Sequence, residues 1–171
     1  KVGGSVLIDS ERGKGTSITF KIPLTLSIID GMNVRVGKGY YTIPTISIRE
    51  SFRPKKDDVI TDPNGNEMIL VRGHSYPILR LHRRFGIKDG IEEFAEGILV
   101  MIEEGDMAIC LFVDELVGQQ QVVVKALPSY VKVAKKGSGL AGCTLLGDGS
   151  ISLILDVGGL MDNIQTTGNW N

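Results

Sequence analysis

Apolar and polar side chains alternate from Thr16 to Ile22, placing Ile18, Phe20 and Ile22 on one face and Ser17, Thr19 and Lys21 on the other. A period of two predicts a strand, and Pro23 stops it. Residues 3–9 read as a preceding strand, and the glycines of residues 10–15 as the turn between the two. Met32, Val34 and Val36 alternate with Asn33 and Arg35, residues 37–39 turn the chain, and residues 40–43 return it. Pro44 ends that strand, and the segment up to Glu50 is expected to open as a helical turn with its proline near the start. Residues 55–66, with Asp62, Pro63, Asn64 and Gly65, read as a polar loop. Strands are expected at 68–71 and 76–81, across the turn Arg72, Gly73, His74. One helical turn at 82–86 and a linker or short helix at 88–96 follow.

A second group of apolar segments begins at 98–102 and 107–113, on either side of Glu103, Glu104, Gly105 and Asp106. Residues 117–125, 143–146 and 151–155 complete it, and 157–164 predicts a closing helix. Short, evenly punctuated strands in two groups predict an all-β chain of two small barrels, dividing near residues 88–97. A lone hairpin with one apolar face is marginally stable, so residues 1–26 are expected to be the end of a truncated larger sheet. Residues 27–165 then form the main domain, and 166–171 a frayed tail.

The chain has 171 residues, 42% of them apolar and 23% charged, with a net charge of -1. That composition is globular, and it supplies no electrostatic reason to expect nucleic acid or an anionic membrane surface. No apolar run approaches the roughly 20 residues needed to span a bilayer, so no direct membrane insertion is expected. The first residues carry no signal-peptide pattern, and the two cysteines, Cys110 and Cys143, lie in apolar strand-like surroundings. Buried free thiols in a cytoplasmic protein are the reading that fits both.

Candidate chemistry is sparse. Gly137, Gly139 and Gly142 satisfy G-x-G-x-x-G, but a lysine-containing loop precedes them and a strand follows, the wrong frame for a dinucleotide. His74 and His82 have no second His or Cys at ligand spacing, so no metal site is expected. Ser75, His74 and either Asp89 or Asp114 define a rival hydrolase reading, but no nucleophile elbow or oxyanion-hole motif accompanies them. The basic pairs at 55–56, 83–84 and 135–136 are scattered among acids, and the single Trp offers no stacking platform, which weakens an oligonucleotide-binding barrel. The acidic groups at 92–96 and 103–104 read as solvated linker and turn.

Three further segments carry a resemblance. They are Val71 to Ile78 (VRGHSYPI), Asp114 to Lys125 (DELVGQQQVVVK) and Leu146 to Asp156 (LGDGSISLILD). In this order and at these separations they resemble the CheW-like regulatory domain at the C-terminus of the chemotaxis histidine kinase CheA. The Gly118–Lys125 run resembles the signature Gly-Gln-x-Gln-Val-Val-Val-Lys that separates such domains from stand-alone CheW adaptors. Ahead of it, GGSVLIDSERGKGTSITFKIPLTLSI is similar to the last two strands of the histidine-kinase ATPase domain. Gly13, Gly15 and Thr16 match that domain's terminal Gly-Thr motif, but its nucleotide-holding boxes lie upstream of that motif.

The resemblance implies two five-stranded SH3-like barrels and a non-catalytic docking role in the cytoplasm, at membrane-associated receptor arrays. The implied partners are the CheW adaptor, chemoreceptor tips and the rest of the CheA kinase. ATP and Mg would belong to the parent kinase, and this stretch is expected to bind no cofactor and to have no catalytic residue. The implied CheW contact lies in the first barrel, where Val59, Ile60, Met68, Ser75 and Tyr76 could form a compact apolar centre. Tyr76 is the strongest of the five if it is exposed, since a tyrosine offers large contact area and a polar tip. A stand-alone CheW-like adaptor is the nearest alternative.

Overall fold

The computed structural model describes residues 6–10, 16–20, 27–127 and 139–167. Strands β1 (Val6–Ser10) and β2 (Thr16–Phe20) form an antiparallel hairpin with Ile8 opposite Ile18. At the end of a truncated larger sheet, Ile18, Phe20 and Ile22 are expected to be exposed or covered by another copy of the chain, but their side chains lie outside the described residues. Next come β3 (Ile28–Val36), β4 (Gly39–Pro44), a 3-10 turn at Thr45–Ser47, and β5 (Ile48–Phe52). A short β6 (Val59–Thr61), β7 (Glu67–Val71) and β8 (His74–Arg80) lead into the one-turn helix α1 (Leu81–Arg84). The chain continues through β9 (Ile98–Glu104), β10 (Met107–Val113), β11 (Glu115–Val123), β12 (Leu140–Leu145), β13 (Ile151–Leu155) and helix α2 (Val157–Thr167).

Beyond the β1–β2 hairpin, two sheets organise the strands from β3 to β13. One runs β11-β3-β4-β13-β12, and the other β5-β9-β10-β8-β7-β6. The five-stranded ladder is open except where Lys125 and Cys143 exchange two backbone hydrogen bonds, at 2.8 and 2.9 Å, between its outermost strands. The all-β, SH3-like reading holds, with a sixth strand in the second sheet.

The division near residues 88–97 does not hold as a boundary between sheets. That segment joins β8 to β9 within one sheet, and β11–β13 return to pair with β3 and β4. The cause is long-range: parallel pairing of Ser152 with Tyr40 and Ile154 with Thr42 draws the end of the chain back to its beginning. Two local expectations are also corrected. The helical turn after Pro44 lasts three residues, and Ile48, Glu50 and Phe52 then alternate as strand β5. Within the polar loop at 55–66, Val59–Thr61 pairs with β7 as β6, because Val59 can reach the core only when extended.

The alternation of each strand explains the packing. Val34, Val36, Tyr41, Ile43 and Leu155 from the five-stranded sheet meet Leu79, Val100, Ile102, Ile109 and Leu111 from the other, with Leu160, Met161 and Ile164 of α2 in the same cluster. The opposite face of the second sheet holds Ile69, Ile78, Leu99, Met101, Cys110 and Phe112. On the first sheet, the face away from the shared cluster buries a polar relay. Thr42 donates its hydroxyl proton to Asn33 Oδ1 at 2.7 Å, which leaves Ser152 as the donor in its 2.7 Å contact with Thr42.

Cys110 and Cys143 are both buried and unbonded. Burial pushes the Cys110 thiol up to about 12 and the Tyr41 phenol up to about 12. Both groups are neutral when protonated, so the unfolded chain loses these protons first as pH rises. The unfolding midpoint is therefore expected to fall progressively as pH rises from the ordinary thiol and phenol values of 9.0 and 10.0 to about 12. An alkaline melting series checks this, and a flat midpoint across that window would contradict it.

Candidate functional site

The face of the second sheet that packs on the first does not end where the first sheet ends. Met68 lies opposite Pro77, Leu70 opposite Ser75 and Ile60 opposite Met68, so these five side chains share that face. Over β6 and β7 the face is open, with Ile60 at 50% and Leu70 at 44% exposure and Met68 half-buried. Beside it lies a cleft of about 530 Å³ lined by Arg49, Ser75, Pro77, Glu103, Asp106 and Met107. An apolar centre beside a mixed-charge rim is the composition of a partner-docking surface.

The other side of the same strands is anchored. Val59, Ile69, Val71 and Tyr76 pack on the cluster built around Phe112. Arg80 is 5% exposed. Its Nε and Nη2 donate to the two carboxylate oxygens of Glu67 at 2.5 and 3.0 Å, and its Nη1 donates to the Glu92 carbonyl at 2.6 Å. Its guanidinium lies 4.1 Å from the Phe94 ring centroid and 5.2 Å from that of Phe112. Outside it, Arg83 and His82 contact the Glu92 carboxylate, each at 3.1 Å. The Arg83 bond first, and the His82 bond after it, hold the Glu92 carboxyl below the usual carboxylate range.

The five residues singled out from the sequence fall on the same three strands, but on two faces. Ile60, Met68 and Ser75 point to the open face; Val59 and Tyr76 point to the core. Tyr76 is half-buried because it sits one residue out of phase with Ser75 and Pro77. Leu70 and Pro77 complete the open face and were missed. Counting by twos from Met68 and Ser75 finds both.

The hydrolase geometry does not assemble. His74 and Ser75 are neighbours on β8 and project to opposite faces. The Asp114 carboxylate receives the Gly37 amide at 2.7 Å and the Ile91 amide at 2.9 Å, with Arg35 at 3.5 Å. It thereby fastens the β3–β4 turn and the 88–97 segment to the end of β10. Of the glycine motif, residues 137 and 138 lie outside the described residues, Gly139 immediately precedes strand β12, and Gly142 lies within it, so a strand and not a helix follows. Among the described residues no group of three His, Cys, Asp or Glu is placed to hold a metal ion, and no helix is long and apolar enough to cross a membrane.

The chain is thus built of two SH3-like sheets sharing a core, with an open apolar face on one of them. The match is specific: the CheW-like domain family covers residues 30–165, and this chain belongs to it. It is 41% identical over 160 residues to the chemotaxis protein CheA of Klebsiella aerogenes, an alignment covering 94% of this chain and 24% of that one. To the sensor histidine kinase CheAY of Helicobacter pylori it is 40% identical over 162 residues, covering 95% and 20%. The chain thus spans about a quarter or less of the length of these relatives. In fold it is similar to the scaffolding protein TtCheW of Thermoanaerobacter tengcongensis, with a TM-score of 0.61 at 16% identity, over 75% of this chain and 89% of that one. The CheW-like domain is non-catalytic, and the relatives that carry it here are CheA-type histidine kinases.

Proposed function

We propose that this chain is the regulatory and scaffolding domain of a chemotaxis histidine kinase, docking a CheW adaptor and chemoreceptor tips and coupling receptor state to the kinase. Its place is then the cytoplasmic side of membrane-associated receptor arrays, and nucleic acid is not among its partners. The kinase chemistry, with its ATP and magnesium, belongs to other parts of the parent protein. The observation that carries the reading is the alignment with CheA proteins along nearly the whole chain, at about 40% identity. The open face of Ile60, Met68, Leu70 and Pro77 supports it, because four apolar side chains in register form the kind of contiguous patch that partner surfaces carry. Val59, Ser75 and Tyr76 contribute from the flank and from beneath.

Titration of the chain with purified CheW tests the proposal. Binding is expected, and Leu70→Glu is expected to weaken it about tenfold or more, since a carboxylate desolvated at the centre of a docking face finds no partner. Leu70 is exposed enough that the thermal midpoint should stay within about 2 °C. Absence of CheW binding by the parent chain would refute the reading. Tyr76→Glu is a useful contrast: it should lower the midpoint as well as the affinity, because that ring packs on the core.

A further inference from the structure

We infer that the buried Arg80–Glu67 ion pair is a positioning device for the docking face, fixing β7 from behind so that Met68 and Leu70 are presented in one pose. The inference rests on the docking reading above. Consecutive residues of a strand project to opposite faces, so Glu67 is anchored inward at the position next to outward-facing Met68. The anchor is rigid. A forked guanidinium holds both carboxylate oxygens, its third arm is tied to the Glu92 carbonyl, and its plane is covered by Phe94, itself in edge contact with Phe112 at 5.0 Å. Beyond the packing of Val59, Ile69 and Val71 on the Phe112 cluster, the strands it steadies are held by short ladders. β6 is a three-residue edge, and β7 is paired to β8 at four positions, one of them facing Pro77, which has no amide to give.

Energetics points to the same role. Both side chains leave water, Arg80 at 6% and Glu67 at 13% side-chain exposure, and attraction between buried charges commonly no more than offsets that desolvation. Apolar side chains of similar volume would fill the site at comparable stability. What they would not supply is a directional tie between the start of β7, the end of β8 and the 91–94 segment.

The test compares the 171-residue chain with the double variant Arg80→Met with Glu67→Leu, with Arg80→Lys, and with Leu70→Glu. Three quantities are read: the thermal midpoint, hydrogen exchange of the β7 amides, and affinity for purified CheW. The double variant is expected to melt within a few degrees of the parent, while its β7 amides exchange about tenfold faster and CheW affinity falls by a similar factor. Arg80→Lys keeps the charge but not the fork, and should shift exchange and affinity in the same direction by less. A double variant with β7 protection and affinity both intact overturns the inference. So does one whose midpoint collapses, since the pair would then be a stability element. If Leu70→Glu leaves CheW affinity untouched, the docking reading fails by itself, and exchange at β7 alone decides whether the pair positions the strand.

Discussion

Gly97→Val is expected to leave little folded protein at 37 °C. A Cβ at Gly97 would stand 2.3 Å from Phe112 Cζ, 2.5 Å from Cε1 and 2.8 Å from the Val113 carbonyl oxygen. The backbone there is ordinary and extended, with φ of -112°, so the cost is packing and not torsion. The ring cannot retreat, because Phe112 is 1% exposed and packs against both Phe94 and the Arg80 guanidinium. The carbonyl cannot retreat without dragging the end of β10. Even Gly97→Ala should cost about 3 kcal/mol, the upper range for overpacking, against a total stability of about 5–15 kcal/mol for domains of this kind. Soluble yield and thermal midpoint of the two variants check the claim. An alanine variant that melts with the parent would mean that the segment shifts freely.

The second large effect is expected from Leu111→Ala. Leu111 is fully buried on β10, a central strand, in the cluster that both sheets share. Removing its side chain should cost about 2–5 kcal/mol, the range for a large-to-small change that leaves a cavity. In a chain of this size that corresponds to a drop of roughly 5–20 °C in midpoint. Because its cluster includes Val34 and Ile43 of one sheet and Val100 and Ile102 of the other, both sheets should melt together. Far-ultraviolet circular dichroism and tyrosine absorbance should give coincident curves. Two separated transitions would show that each sheet stands alone and that the shared cluster contributes little.

Where the sequence could be read well, a single period ran without interruption between turn residues. β9, β10 and β13 are of that kind, each an apolar run closed by Gly or Asp. β5 was hidden because Pro44 reads as a helix opener, although Ile48, Glu50 and Phe52 alternate two residues later. β6 was hidden because three residues inside a charged loop carry too little pattern to be counted. The grouping of strands into sheets could not be read at all, since nothing local announces that residue 154 will lie beside residue 42. The same limit acts on the docking face. β7 and β8 were located, but β6 and the phase of β8 were not, and one residue of phase is what separates Tyr76 from Ser75.

The strand order has a consequence for how the molecule is made. The parallel partners Ser152 and Tyr40 are 112 positions apart (152 minus 40), with the whole six-stranded sheet encoded between them. During synthesis the β3–β4 hairpin emerges early, with β11 on one side and β13 on the other still untranslated. The middle sheet can assemble once residue 113 is made, whereas the hairpin must wait with two unpaired edges and the apolar row of Val34, Val36, Tyr41 and Ile43 uncovered. Nascent chains stalled between residues 45 and 115 are thus the species most prone to sticking to one another or to recruiting a chaperone.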